Sequence, residues 1–238
     1  MKWIAHRSGP ANFPEQTILS ARDALSAGAD AVEIDVRFTK DARLAVSHDQ
    51  NLNRIFGTDR NIGDMTAAEF LTLRHTSDPG CPAHLFEDYL KCGFVPLLIH
   101  IKENRVITPL LETVAAYGAS QHVILGVSDL DSVTQIHSFD PQIKILSFAP
   151  SPDDTAGFIA AGVDYIRLWE GWLTPERVQL VRDSRCGLWI MSGGTDGREV
   201  GEPTAEQLKA ILAYRPDGIL INNIPFAHRV YSEYQATV

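Results

Sequence analysis

The chain has 238 residues, 45% hydrophobic and 21% charged, an ordinary globular composition long enough to enclose a buried site. Its net charge of −9 repels nucleic-acid backbones and anionic membrane surfaces, which excludes both as bulk partners and demands local cations wherever an anion binds. Three cysteines with no CxxC pair fit a reduced compartment, and apolar runs all shorter than a signal peptide or a membrane span lead us to expect a cytoplasmic protein with no stable membrane insertion.

The first apolar run, 3–6 (WIAH), reads as a strand ending in His6-Arg7. An amphipathic stretch follows at 17–29, stopped near Gly28. The second strand, 31–38 (AVEIDVRF), carries Glu33 and Asp35. Two apart on a strand, they share a face. Two inward carboxylates repel each other and are costly to bury unless a cation or proton lies between them. A hard divalent metal meets that need; the alternatives are that one of the two points at solvent or that they pair with Arg7 and Lys102. The Lys40-Asp41-Ala42-Arg43 stretch is too short for a crossover helix, so 42–49 (ARLAVSHD) is expected to return as the second arm of a hairpin. A turn centred on Asp41-Ala42 sets His48 opposite Asp35, with Cβ atoms about 5 Å apart.

Residues 50–94 show turn signals, one short helical pattern (TAAEFLTLR) and no clear strand. They are expected as an insertion over the mouth of one domain spanning 1–238. The third barrel strand, 95–101 (VPLLIHI), carries His100, with Lys102 next on the same face. After a helix at 107–119 come strands at 122–127 (HVILGV), 143–148 (IKILSF) and 165–169 (YIRLW), the last ending in Trp169-Glu170. Thr174-Pro175-Glu176 caps a helix over 174–184. Strand 187–191 (GLWIM) leads into SGGTDGREVG (192–201). There Gly193 and Gly194 let backbone N–H groups approach an anion, or simply give a loose loop. Thr204-Ala205-Glu206 caps the helix 204–214, and 218–222 (GILIN) is the eighth run.

Alternating strands and helices predict a parallel sheet, and eight repeats predict closure into a TIM-like (β/α)8 barrel with an extra hairpin arm. Such barrels carry their chemistry at the C-terminal strand ends. There His6 and His48 form a candidate proton-transfer pair. Arg7 offers a planar fork to phosphate oxygens and Lys102 faces an anion. His100 reads either as a metal ligand beside Glu33 and Asp35 or as a core histidine, and Trp169 as pocket wall or core. His75, His84, His122, His137 and His228 are expected in loops or on the surface.

Segment 5–17 (AHRSGPANFPEQT) resembles the opening of the glycerophosphodiester phosphodiesterase family, an HRG followed eight residues after the His by PENT. Residues 32–49 resemble its E-x-D, T-K-D-G and H-D; IHIK (99–102) falls where that family has E-x-K; PDGILINNIP (216–225) is similar to its D-G-I-x-T-N-x-P. The resemblance implies a phosphodiesterase of the PLC-like superfamily, at work in lipid and glycerol metabolism. Its substrate would be a small-molecule phosphodiester, opened to a phosphomonoester and an alcohol. It assigns His6 and His48 to acid/base chemistry, Arg7 and Lys102 to phosphate, and Glu33 and Asp35 to Mg²⁺ or Ca²⁺. It gives Glu15 the support of the first loop. It also implies attack by a neighbouring substrate hydroxyl, through a cyclic phosphate that water opens.

The departures are Ser8 for the Gly of HRG, Gln16 for the Asn of PENT, Ala42 for the Gly of TKDG and His100 for a third metal-binding Glu. Imidazole in place of carboxylate favours Mn²⁺ or Zn²⁺ over Ca²⁺. The segment LWIMSGGTDG lacks the family's aromatic-Thr pattern, so the alcohol end of the pocket is expected to differ, and a sugar phosphodiester is an alternative substrate. Two further readings are a sphingomyelinase D-like lyase that stops at the cyclic phosphate and a non-catalytic binder. The joint presence of His6, Arg7, Glu33, Asp35 and His48 argues against the binder. A homo-oligomer stays open.

Overall fold

A computed structural model describes residues 1–94 and 96–236. Val95, the first residue of the run expected as the third barrel strand, lies outside the described residues. The strands are β1 (Lys2–Ala5), β2 (Ala31–Phe38), β3 (Leu44–Val46), β4 (Leu97–Ile101), β5 (Val123–Val127), β6 (Lys144–Ser147), β7 (Tyr165–Trp169), β8 (Gly187–Met191) and β9 (Gly218–Ile221). All but β3 pair in parallel in the order β1, β9, β8, β7, β6, β5, β4, β2, and β2 pairs back with β1. The ring therefore closes, as the eight apolar runs predict.

Closure follows from strands that are apolar on both faces. Ile4, Ala31, Leu98, Ile124, Leu146, Trp189 and Leu220 form one buried cluster. Their neighbours in sequence, such as Val32, Ile99, Leu125, Ile145 and Ile219, form another that includes helix residues. Period two thus fills the barrel with one set and packs the other against the helices. Thr17, Thr174 and Thr204 each cap the following helix with a side-chain oxygen, which is the local reason those helices start where they do.

The hairpin arm forms, but one residue out of the expected register. Val36 faces Val46, Arg37 faces Ala45 and Phe38 faces Leu44, which puts Ser47 beside Asp35; Ser47 N–H donates to Asp35 O at 3.0 Å. The loop is Lys40-Asp41-Ala42, with Ala42 N–H donating to Thr39 O and Thr39 N–H to Arg43 O, each at 3.0 Å. Ala42 has φ 56°. This is a three-residue hairpin loop that ends in a left-handed residue, which centres the hairpin on Asp41 alone. His48 lies past the end of β3 in irregular chain, where its carbonyl accepts from Arg37 Nε at 3.0 Å.

Residues 50–94 hold three short α-helices, Asn53–Phe56, Ala67–Phe70 and Phe86–Cys92, and a 3-10 turn at Ile62–Asp64. Leu52, Ile62, Met65, Phe70 and Leu85 give much of this stretch a core of its own against Ala45 of β3. His75 lies in irregular chain, as its isolation in sequence suggests, but it is not on the surface. It is 3% exposed, its ring sits 4.8 Å from that of Phe56, and burial lowers its pKa to about 4. Among the described residues no helix is long and apolar enough to cross a membrane.

Candidate active site

The alternation that fills the barrel brings polar residues to its C-terminal rim. Glu33 and Asp35 lie on β2, and Asp35 pairs directly with His100 of β4 in the ladder. His6 and Arg7 follow β1, and Lys102 follows β4. With His48 these residues line one cavity of about 450 Å³. Trp169 is on its wall and also packs, half-buried, against the hydrophobic cluster inside the barrel. Gly193 and Gly194 are not part of that lining; they line a neighbouring cavity that shares Trp169 and Val200. Gly193 N–H already donates to Glu170 Oε2 at 2.7 Å. A carboxylate thus occupies the donor that the sequence offered to a phosphate.

Asp35 is held from several sides. Its Oδ2 accepts from Gln16 Nε2 at 2.6 Å, and its own N–H donates to Gln16 Oε1 at 3.3 Å. Its Oδ1 lies 3.0 Å from His100 Nδ1 and 3.3 Å from Lys102 Nζ. Neither approach is aligned as a hydrogen bond, so among the described residues this buried oxygen has no hydrogen-bond partner. Burial pushes the Asp35 carboxyl up, but Lys102 and His100 together outweigh it and hold the group well below the usual range. Glu33, 1% exposed, goes the other way. Burial and then the charge of Asp35 push it well up, against the Arg7 N–H that donates to Oε2 at 2.7 Å. Neither carboxylate points at solvent, both being 1% exposed, and the other two sequence readings of the acidic pair are partly realised. Cationic and N–H partners are present, and repulsion between the carboxylates persists.

Donor atoms of Glu33, Asp35 and His100 lie within 4.8 Å of one another. His100 is fixed by stacking on Phe148, with ring centroids 3.9 Å apart at 9°. Gly126 makes room for this, since a Cβ there would overlap the Phe148 ring. Burial lowers the His100 pKa to about 4 against the pull of Asp35, which leaves the neutral imidazole that a metal requires. Two carboxylates, one of them with an unpaired buried oxygen, and an imidazole suit a divalent cation.

The two candidate proton carriers are oriented differently. Asn222 Nδ2 donates to Val200 O at 3.1 Å, so its Oδ1 accepts from His6 Nδ1 at 2.8 Å. This assigns the proton to Nδ1 and leaves Nε2 as an acceptor. Burial, aided by Arg7, lowers the His6 pKa to about 4. His48 Nδ1 lies 2.7 Å from Asp49 Oδ1, and Asp49 Oδ2 accepts from Arg54 Nε at 2.6 Å. Burial lowers the His48 pKa, while Asp35 and Asp49 oppose the shift. Arg54 also grips Glu15 with both Nη atoms, at 2.9 and 2.7 Å, and Glu15 reaches Arg7 Nη1 at 3.3 Å. Glu15 therefore ties the first loop to the insertion.

Sequence reasoning missed Asn222, Arg54 and Arg167. The period-two rule carries a signal for two of them: Leu220 and Asn222 follow the inward alternation of β9, and Tyr165, Arg167 and Trp169 that of β7. Arg54 carries none, because its partners belong to other segments.

The model of the Glycerophosphoryl diester phosphodiesterase family matches residues 6–150. A glycerophosphodiester phosphodiesterase of Bacillus altitudinis is 37% identical over 102 residues, 43% of this chain and 39% of its own length. One from Caldanaerobacter subterraneus is 29% identical over 156 residues, 60% of this chain and 64% of its own. The chain thus covers less than two thirds of these relatives. The crystal structure of a glycerophosphodiester phosphodiesterase from Agrobacterium tumefaciens superposes with a TM-score of 0.78 at 22% identity, covering 96% of this chain and 99% of its own. An Oleispira antarctica phosphodiesterase, in complex with the product sn-glycerol-3-phosphate, gives 0.81 at 16% identity, covering 98% and 97%. At such identities these structures share the fold.

Proposed function

The chain belongs to the glycerophosphoryl diester phosphodiesterase family, and from that premise we propose that it hydrolyses a small phosphodiester of the glycerophosphodiester type to a phosphomonoester and an alcohol. The observation that carries this reading is the convergence of His6, His48, Arg7, Lys102 and the Glu33-Asp35 pair on one cavity. A protein that only binds its ligand has no use for two oriented imidazoles.

Glu33, Asp35 and His100 would hold a divalent cation. Mg²⁺ and Ca²⁺ suit the carboxylates, and His100 tilts the choice toward Mn²⁺ or Zn²⁺. When bound, such an ion stabilises charge on phosphate oxygens. Arg7 and Lys102 bind the nonbridging oxygens and orient phosphorus. His6, with Nε2 free, accepts the proton of a neighbouring substrate hydroxyl. The oxygen of that hydroxyl bonds to phosphorus as the bond to the leaving alcohol breaks. His48, which Asp49 favours in its charged form, gives its proton to the leaving oxygen. Water then opens the cyclic ester with the two histidines in exchanged roles.

The test is a panel of phosphodiesters assayed with Mg²⁺, Ca²⁺, Mn²⁺, Zn²⁺ and EDTA, followed by phosphorus NMR. Turnover should need both a metal and a hydroxyl beside the cleaved ester, and should end at the open monoester. A cyclic ester that persists would make the protein a lyase. Undiminished turnover in EDTA would remove the metal from the proposal.

A further inference from the structure

Arg167 lies on β7, which stands diametrically opposite β2 in the ring. Four strand-to-strand steps separate them in either direction, through β4, β5 and β6 or through β1, β9 and β8. The cavity therefore has the Glu33-Asp35 pair on one wall and a guanidinium on the other. Arg167 is 3% exposed. Its Nε and Nη1 have no hydrogen-bond partner among the described residues. Its carbon Cζ lies 4.9 Å from the ring centre of Phe148, 4.4 Å from Trp169 and 5.7 Å from Trp172.

Aromatic packing of this kind engages a guanidinium through its π faces and leaves the in-plane N–H groups free. An unpaired buried cation is costly, and three aromatic rings offset only part of that cost. Burial lowers the pKa of Arg167 to about 9, so the group remains a cation at neutral pH. Its free donors form the planar array that a carboxylate or phosphate matches. The acidic cluster, together with Arg7 and Lys102, already defines the place of the reacting phosphate near β1, β2 and β4. A ligand spanning the cavity from there brings its alcohol end to β7.

We propose that Arg167 forms an anion subsite for the leaving alcohol, so that the preferred substrate is a phosphodiester whose second alcohol carries a negative charge of its own. This rests on the phosphodiesterase reading and narrows it. The segment that lacks the family's aromatic-Thr pattern, residues 188–197, contributes Met191 to the lining of this same cavity. In a chain of net charge −9, a doubly anionic substrate needs such a local cation at its far end.

The experiment compares three glycerol phosphodiesters that differ only in the second alcohol: glycerol, ending in a neutral hydroxymethyl; glycerate, ending in a carboxylate; and glycerol phosphate, ending in a phosphomonoester. With Mn²⁺ present, kcat/KM for at least one anionic ester should exceed that for the neutral ester by about 10²-fold, the size expected of a buried charge pair. The better of the two identifies the anion. In Arg167→Met this ratio should fall to about one, and Arg167→Lys should restore part of it. A ratio near one in the parent protein would overturn the proposal. So would equal losses on all three esters in Arg167→Met, because Arg167 would then act on the phosphate common to them.

Calorimetric titration with glycerate and with glycerol separates this idea from the hydrolase reading. Glycerate binding that is lost in Arg167→Met supports the subsite even if no ester is turned over. Equal binding of both ligands by parent and variant overturns it. The melting temperature of Arg167→Met gives a further check. Removal of an unpaired buried charge should leave it unchanged or raise it, and a large fall would mean that Arg167 is a structural residue.

Discussion

His6 and His48 share a residue type and a cavity, yet their neighbours set them apart. His6 is bound to a neutral amide and His48 to a carboxylate. Replacing either by Ala should lower kcat by about 10²–10⁴-fold with the fold intact, as loss of an acid or base does; full turnover in one variant would exclude that residue from the chemistry. Burial also makes the histidines a source of acid sensitivity. In the unfolded chain His6 and His100 titrate near 6.5, and in the folded protein near 4. Between those values the unfolded state binds more protons. Stability is therefore fully present above about pH 6.5 and falls as the pH drops toward 4, by up to about 1.4 kcal/mol per pH unit for each such group. Glu33, whose carboxyl burial and Asp35 push well up, works in the opposite sense, so the measurement belongs in Glu33→Gln: its urea midpoints at pH 7, 6 and 5 should decline, and a flat series there would contradict the burial of these imidazoles. The sequence made His6, Arg7, Glu33, Asp35, His48, His100 and Lys102 legible because each belongs to a short motif at a strand end. It did not reveal Asn222, since the bond to His6 joins residues 216 positions apart, nor Arg167, whose meaning depends on what lies across the barrel.

At the level of single elements, three of the departures from the family pattern coincide with one backbone feature. Ser8, Gln16 and Ala42 have φ of 69°, 59° and 56°. The family's Gly, Asn and Gly at these places are the residues that tolerate the left-handed region best. What each position gains in return differs. Ser8 Oγ lies 3.1 Å from the Tyr89 hydroxyl, and Gln16 clamps Asp35 at two points. No hydrogen bond could compensate at Ala42, whose side chain has no polar atom. Ala42→Gly is therefore expected to stabilise the protein by roughly 0.5–1 kcal/mol, the strain relieved less the added chain entropy. Ser8→Gly should gain less, because it also loses the Tyr89 contact. Chemical denaturation decides this: an Ala42→Gly variant weaker than the parent would mean that the turn is not strained. The hairpin also shows where sequence reading stops. Its existence followed from a connection too short for a helix, but its register depended on whether the turn holds two residues or three, and the family's Gly at position 42 was the clue to the longer loop.

For the molecule as a whole, the barrel was legible because its eight strands repeat one pattern, and closure required only that the first and last find each other, as β1 and β9 do. The same closed wall forces the acidic pair inward, so the fold itself carries the electrostatic cost that a metal would relieve. Two consequences oppose each other and can be measured together. Glu33→Gln removes the repulsion with Asp35 while keeping an acceptor for Arg7 N–H, so the metal-free variant should melt at or above the parent. A divalent ion at about 100 times its dissociation constant should stabilise the parent by about 2.7 kcal/mol, a rise of roughly 5–10 °C in Tm for a domain of this size. In Glu33→Gln most of that rise should vanish, because one charged ligand is gone and the remaining charge no longer demands a counter-ion. EDTA should return the parent to its metal-free Tm and abolish turnover with it. If Glu33→Gln instead kept the full metal-induced shift, the ion would have to sit elsewhere, and the Glu33-Asp35-His100 cluster would be a buried polar network with no metal at its centre.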